Sequence, residues 1–138
     1  MISVRKQEVV KLENVLHLYQ AVGWTNYTHQ PQMLEKSLSH SLAIYLALDG
    51  EAIVGLVRLV GDGFSSVFVQ DLIVLPSYQR QGIGSALMKE ALRDFKDAYR
   101  VQLATDQTEK NLEFYRSLGF ENLSTYDCTG MIWVERKK

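Results

Sequence analysis

Residues 71–87 of this protein read DLIVLPSYQRQGIGSAL. Four apolar residues follow the aspartate, and Pro76 ends that run because proline supplies no N–H group to a strand. Gly82 and Gly84 come next, and from residue 83 onwards apolar residues recur at every fourth position. That period is typical of a helix. The stretch therefore predicts a strand, a short loop and a helix that begins at two glycines.

This arrangement is suited to binding an anion. The first N–H groups of a helix have no acceptor within the helix, and the helix dipole adds partial positive charge there. Glycines let a phosphate approach the backbone, so a pyrophosphate is the predicted ligand. A P-loop is disfavoured because Gly84 is followed by Ser85-Ala86, and a dinucleotide fingerprint is disfavoured by Leu87 in its third small position. A tight turn whose glycines serve packing alone is the open alternative.

The rest of the chain alternates apolar runs with turn signals and predicts seven strands and four helices. Their order is strand, two helices, three strands, helix, strand, helix and two strands. Hairpins that precede a strand–helix–strand–helix section indicate an α/β (α+β) fold with a mixed sheet in three layers. All of residues 1–138 are expected to form one domain. The strands are expected at 2–5, 43–48, 53–60, 67–75, 101–105, 122–127 and 131–136, and the helices at 7–20, 31–41, 82–96 and 111–118.

Composition excludes several classes of function. The chain has 15 Lys and Arg against 16 Asp and Glu, so no broad basic field attracts nucleic acid. A single cysteine excludes an internal disulfide and a multi-cysteine metal site, and the three histidines show no ligand spacing, so no metal is expected. The longest apolar run, residues 42–48, is far shorter than the roughly 20 residues of a membrane span. No signal peptide is evident, and the expected location is the cytoplasm.

Two motifs resemble a known family. Residues 79–84, Gln-Arg-Gln-Gly-Ile-Gly, match the Arg/Gln-x-x-Gly-x-Gly/Ala motif of the GNAT superfamily of N-acetyltransferases, between a strand and a helix as in that family. Residues 114–120, Phe-Tyr-Arg-Ser-Leu-Gly-Phe, resemble the family's Phe-Tyr-x-x-Leu-Gly-Phe block. The order of elements also fits. The resemblance covers nearly the whole chain and implies a three-layer GNAT-like fold and an acetyl-CoA-dependent N-acetyltransferase.

The resemblance assigns a site for acetyl-CoA. Its pyrophosphate would lie on the glycine loop, and its pantetheine arm would pair with the preceding strand. An N–H near Ile73 or Val74 would polarise the acetyl carbonyl. The strand is expected to separate there from residues 101–105, which opens a wedge for the thioester. The residues implied in cofactor binding are Leu72, Ile73, Val74, Gln79, Arg80, Gln81, Gly82, Ile83, Gly84, Ser85, Thr108 and Asn111.

Two residues are candidates for the proton transfers of acetyl transfer. Tyr115 aligns with the family tyrosine that acts as general acid towards the departing thiolate, with packing on the sheet as its alternative role. Asp71 is the candidate base, because family members often carry an acidic residue on this strand. A solvated carboxylate or a structural ion pair is its alternative role. Many members of the family use water in place of a fixed base.

One departure from the family concerns Thr108, which stands where the family has an asparagine that helps to hold the pantetheine. Thr108 either contacts the cofactor in its place or caps the following helix, and Asn111 comes one turn later. Trp24, Tyr27 and Arg58 are the candidate substrate-binding residues. The two aromatic rings suit a partly apolar amine, and their alternative role is to cover the edge of the core.

The resemblance implies direct attack by an amine in a ternary complex. A small-molecule amine is favoured over a protein amino group as the acceptor. The alternative function is a non-catalytic acyl-CoA-binding sensor or interaction module. Nucleic acid and membrane are not expected partners, and a homodimer built on the last two strands rests on the resemblance alone.

Overall fold

The computed structural model describes residues 1–134. It divides into two compact units, Met1–Leu103 and a second unit that begins at Ala104. The prediction of one domain stays a prediction. The elements of the first unit are β1 (Ile2–Lys6), α1 (Leu12–Ala21), α2 (Thr25–Thr28), α3 (Pro31–Ser39), β2 (Ala43–Asp49), β3 (Ala52–Gly61), β4 (Ser66–Val74), a 3₁₀ turn (Pro76–Tyr78), α4 (Ile83–Asp94) and β5 (Arg100–Leu103).

The strands of the first unit form one mixed sheet in the order β1-β2-β3-β4-β5. The first four are antiparallel neighbours, and β5 runs parallel to β4 after the α4 crossover. The Asp49-Gly50 pair makes the β2–β3 hairpin, with Gly50 at a φ of +64° that L-residues with side chains disfavour. The mixed α/β sheet expected from the sequence is confirmed. The short helix α2 was not expected.

Helices cover both faces of this sheet. On one face, α1, α2 and α3 bury side chains such as Leu18 and Leu34 against Leu56 and Ile73. On the other face, α4 buries Leu87 among others. A Cβ at Gly55 of β3 would lie 3.0 Å from Ile73 O and 3.2 Å from Leu87 Cδ1, so glycine permits this close approach of helix and sheet.

Strand β4 is irregular where it meets its neighbours. Arg58 pairs with Asp71 and Leu59 with Val69, so Gln70 is an extra residue and forms a bulge. The parallel pairing with β5 ends at the same place, since its last pair is Val69 with Leu103. Within the first unit, the half of β4 after the bulge therefore has β3 on one side and no strand on the other.

The second unit contains α5 (Glu109–Ser117) and a 3₁₀ turn (Leu123–Tyr126). The strand expected at 122–127 is wrong, because hydrogen bonds such as Thr125 N to Asn122 O (3.0 Å) wind that segment into the turn. Residues 131–134 form no strand either, and 135–136, the end of the last expected strand, lie outside the described residues. The described sheet has five strands, not seven. The strands on which a homodimer would be built are not formed between residues 104 and 134.

Candidate functional site

The glycine loop has an unusual backbone. After the 3₁₀ turn, Arg80 has a φ of +66° and Gly82 a φ of +78°, so two left-handed residues reverse the chain just before α4. Gly82 is the N-cap of that helix, and Ala86 N donates the first helical hydrogen bond to Gly82 O at 3.0 Å. The N–H groups of residues 83–85 precede that bond and have no acceptor within the helix. They form the helix start at which the sequence predicts an anion.

The space above this loop is open. A Cβ at Gly82 would meet no heavy atom of the described chain within 4 Å. The loop is held from below by Gln79 Nε2, which donates to Val74 O at 3.1 Å, and by the Tyr78 hydroxyl, which donates to Asp49 at 2.6 Å. The predicted loop residues from Gln79 to Ser85 thus lie together around an unobstructed helix N-terminus.

The edge of β4 after the bulge presents alternate backbone groups. Leu75 N donates to Val54 O at 2.9 Å, so Leu75 and, two residues earlier, Ile73 direct their N–H and C=O groups towards β3. The N–H groups of Leu72 and Val74 point to the opposite side, where β5 has ended. The separation expected from residues 101–105 is therefore present. Of the two amides considered for the acetyl carbonyl, the Val74 N–H is the one on the open edge.

A buried charged cluster lies behind this edge. Arg58 Nε donates to Asp71 Oδ2 at 2.7 Å, and both side chains are nearly inaccessible, at 4% and 2%. The hydroxyls of Tyr19 and Tyr27 donate to Asp71 Oδ2 and Oδ1, each at 2.8 Å. Arg58 Nη1 also donates to Ser41 Oγ at 3.2 Å. Both carboxylate oxygens are therefore occupied, which favours the ion-pair alternative for Asp71 over the base.

The cluster reaches the surface through one residue. Gln70, the exposed bulge residue, donates from Nε2 to the Tyr27 hydroxyl oxygen at 3.3 Å. Trp24 packs against this tyrosine with ring centroids 6.2 Å apart, and the Tyr19 ring meets it edge-on at 5.1 Å. Burial raises the pKa of both Tyr19 and Tyr27, and the neighbouring Asp71 carboxylate raises them further.

Three predicted site residues, Tyr27, Arg58 and Asp71, are thus brought together, with Trp24 beside them. Tyr19 and Gln70 belong to the same cluster and were missed by the sequence analysis. A usable signal was present, because Arg58 and Asp71 are lone charges within otherwise apolar strands. Such charges are rarely buried unless they are paired.

The second unit holds the other predicted residues. Tyr115 on α5 contacts the rings of Phe114 and Phe120 at 5.0 and 6.0 Å, and burial raises the pKa of its phenol. A raised pKa keeps the hydroxyl protonated, as a proton donor requires. Thr108 is the N-cap of α5, and its hydroxyl accepts from Asn111 N at 3.2 Å. The capping role considered for Thr108 is therefore present.

Comparisons with known proteins point to one family. Residues 40–122 match the family model described as acetyltransferase (GNAT) domain. A GNAT family acetyltransferase from Streptococcus pneumoniae TIGR4 is 78% identical, with a TM-score of 0.92 and 99% of each chain covered. GCN5-related N-acetyltransferase 1, chloroplastic, of Arabidopsis thaliana is 28% identical over 97% of this chain and 68% of its own length. Other curated acetyltransferases are longer, and the chain spans about a third of their length.

A more distant structure shares the fold. The PaiA N-acetyltransferase of Thermoplasma acidophilum, solved in complex with coenzyme A, has a TM-score of 0.70 at 19% identity, covering 88% of this chain and 90% of its own. The family match extends over more than half of the sequence, and it includes the glycine loop and the Phe-Tyr block. The chain therefore belongs to the GNAT family of N-acetyltransferases.

Proposed function

We propose that this chain transfers an acetyl group from acetyl-CoA to a small primary amine, by direct attack of the amine while both substrates are bound. The observation that carries the proposal is the continuity of two backbone features. The open edge of β4, with the N–H groups of Leu72 and Val74, leads through a short turn to the open helix start at Gly82. A pantetheine amide chain that ends in a pyrophosphate has the complementary chemistry.

The residues present fit this co-substrate. Backbone N–H groups of residues 83–85 would hold the pyrophosphate without a cluster of basic side chains, which agrees with the chain's net charge of −1. Leu72 and Val74 would pair with the pantetheine amides as an added strand does. The bound thioester supplies the acetyl group, and the Val74 N–H would donate to its carbonyl oxygen.

The proton transfers are assigned to Tyr115 and to water. A primary amine with a pKa near 10.4 is mostly protonated at neutral pH, so it must lose a proton before it attacks. Asp71 is buried and fully paired, and solvent is the base that the geometry favours. We assign to Tyr115 the role of general acid towards the departing thiol, from the resemblance of its motif.

The acceptor is proposed to be a small amine with an apolar part. The half-buried ring of Trp24 packs on the buried ring of Tyr27, beside the exposed amide of Gln70, and offers an aromatic face to such an amine. Aromatic faces attract cations and apolar groups alike. A histone acetyltransferase and a serotonin N-acetyltransferase occur among the curated relatives, so both a protein and a small amine are represented among their acceptors.

The test is a release assay for free coenzyme A thiol over a panel of amines, polyamines and peptides. We expect acetyl-CoA to raise the melting temperature of the protein and at least one primary amine to release the thiol. Tyr115→Phe should lower kcat by about 100-fold or more, the usual range for loss of a general acid. Stabilisation by acetyl-CoA with no release across the panel would favour the acyl-CoA sensor instead.

The cellular location stays a sequence-based prediction. Between residues 1 and 134, none of the helices combines the length and hydrophobicity that a membrane crossing requires. We expect the cytoplasm, and chloroplastic proteins are present among the relatives. The homodimer stays a prediction as well, and sedimentation of the purified chain tests it.

A further inference from the structure

We propose that Gln70 binds the amine substrate through its side-chain carbonyl oxygen, and that the buried Arg58–Asp71–Tyr27 chain fixes this oxygen towards solvent. This inference rests on the proposed acetyl transfer to a small amine and adds a specificity-determining residue to it. The bulge places Gln70 at the position where β5 leaves β4, two residues before Leu72 on the open edge.

The direction of each hydrogen bond in the chain follows from its neighbour. Arg58 keeps its proton in proteins, and its Nε lies 2.7 Å from Asp71 Oδ2. The paired carboxylate accepts hydrogen bonds and donates none. The Tyr27 hydroxyl, 2.8 Å from Oδ1, must therefore donate its single hydrogen bond to Asp71.

The tyrosine oxygen is then left with acceptor capacity alone. Arg58 Nη2 lies 3.4 Å from this oxygen and Gln70 Nε2 lies 3.3 Å from it, and both groups are donors. The carbonyl end of Gln70 cannot take the place of its nitrogen, because two acceptors would then face each other. The amide is thus held with its nitrogen inwards and Oε1 outwards.

The outward oxygen is an unused acceptor. The side chain is exposed, and no group among residues 1–134 donates to Gln70 Oε1. Through Tyr27, the buried carboxylate thus orients a neutral hydrogen-bond acceptor at the surface. Such a group favours a ligand that brings N–H donors, as an ammonium or amine does, over one that brings positive charge without N–H.

Binding of two matched ligands tests the inference. The ligands are 2-phenylethylamine and its N,N,N-trimethyl quaternary analogue, which carries the same charge but no N–H donor. Their dissociation constants are measured by calorimetry on the full chain with coenzyme A present. We expect the wild type to bind the primary amine about tenfold more tightly, the usual effect of a hydrogen bond to a charged group. Gln70→Met should bind the two ligands about equally, with an unchanged melting temperature because the side chain is exposed.

Variants of the two tyrosines in the cluster distinguish the orientation of the Gln70 amide from the stability of the cluster. Tyr27→Phe removes the hydroxyl that holds the Gln70 amide, so it should also reduce the preference for the primary amine over the quaternary analogue. Tyr19→Phe removes an equally short hydrogen bond to Asp71 without touching Gln70 and should retain the preference. The inference is overturned if the wild type binds neither ligand or does not discriminate, if Gln70→Met still discriminates, or if both tyrosine variants narrow the preference equally.

The acetylation assay distinguishes the two proposals. A preference that depends on Gln70 without any thiol release would refute the transferase function and leave the amine site standing. Thiol release from primary amines in a protein whose preference does not depend on Gln70 would refute this inference alone.

Discussion

Asp71 is accommodated in the interior because three donors converge on its carboxylate oxygens. Arg58 and the two tyrosines that contact it lie between 13 and 52 positions away along the chain. No periodicity or motif links positions at such separations, which is why the sequence left base and ion pair equally open for this residue. Contacts across the sheet and from α1 and α2 favour the ion pair.

The ion pair makes a prediction about stability. Asp71→Asn leaves the Arg58 guanidinium buried without its counter-charge, and we expect the free energy of unfolding to fall by about 3–5 kcal/mol. Replacing both partners, Arg58→Met with Asp71→Leu, should recover only part of that loss, because the buried hydroxyls of Tyr19 and Tyr27 then lose their acceptor. Urea denaturation measures both variants. A loss below about 1 kcal/mol for the single variant is the value of an exposed pair and would contradict the buried assignment.

Gly82 makes a prediction about the co-substrate. Gly82→Glu forces a side chain onto a left-handed residue and projects a negative charge into the open space above the loop. We expect the stabilisation of the protein by acetyl-CoA in a thermal melt to disappear.

The matched control for that variant is Gly23→Glu. Gly23 lies between α1 and α2, has a φ of +71° and likewise has no heavy atom within 4 Å of a Cβ position. The backbone strain and the added charge are therefore alike, while the helix start at α4 is untouched. Equal loss of the acetyl-CoA shift in both variants would count against a phosphate site at Gly82.

At the scale of elements, the alternation along β4 predicts a pattern of hydrogen exchange. The amide of Ile73 faces β3 and should exchange slowly with or without acetyl-CoA. The amides of Leu72 and Val74 face the open edge and should exchange quickly in the free protein. They should become protected when acetyl-CoA is added, as measured by amide NMR. Protection of Ile73 alone on binding would contradict the strand-like pairing.

The start of α5 gives a second prediction at this scale. Thr108→Ala removes the acceptor for Asn111 N and should cost about 1 kcal/mol of stability. Thr108→Ser keeps the oxygen and should restore most of it. Thr129→Ala, at an exposed threonine outside the helices, is the control in the same denaturation series. Equal effects of the two alanine variants would show that the cap contributes nothing.

The sequence could predict the elements that begin or end at proline, glycine or a turn dipeptide. Pro76 and the glycines at 82 and 84 bound β4 and α4 closely, and Asp49-Gly50 marks its hairpin. The segment at 122–127 was expected as a strand, but its two apolar side chains, Leu123 and Tyr126, stand three positions apart and do not alternate, while its Asn, Ser, Thr and Asp side chains favour local turns. The local turn forms in place of the strand, and Asp127 adopts a left-handed φ of +58° at the end of the 3₁₀ turn.

At the scale of the whole molecule, the buried phenols predict how stability depends on pH. Tyr19 and Tyr27 have pKa values raised by burial, so the folded state holds their protons more tightly than the unfolded chain does. The two phenols contribute fully to the free energy of unfolding below pH 10, the usual phenol pKa. This contribution is lost as the pH rises above that value. Denaturation between pH 7 and 11 should show a shallower alkaline decline for Tyr19→Phe than for wild type. Parallel curves would contradict the assignment.

The layer order was predictable and the polar interior was not. Apolar periodicity places α1, α3 and α4 on the sheet without any knowledge of partners, because the hydrophobic effect has no direction. Hydrogen-bonded clusters require particular atoms at particular distances. The role of Gln70, one exposed glutamine among many polar residues, therefore becomes visible once Tyr27 and Asp71 are placed beside it.

The bare backbone of Gly55 has a consequence for how this protein can change over generations. With no methyl group there, α4 lies close against the sheet, and its first residues are held at a fixed depth relative to Val74, the partner of Gly55 across the strands. An alanine at this position would crowd Ile73 O and Leu87 Cδ1, so the Leu87 side chain of α4 would have to shift by a few tenths of an ångström. If the helix start binds acetyl-CoA as proposed, affinity for this co-substrate depends on a residue that does not contact it, so we expect Gly55→Ala to weaken acetyl-CoA binding as well as folding.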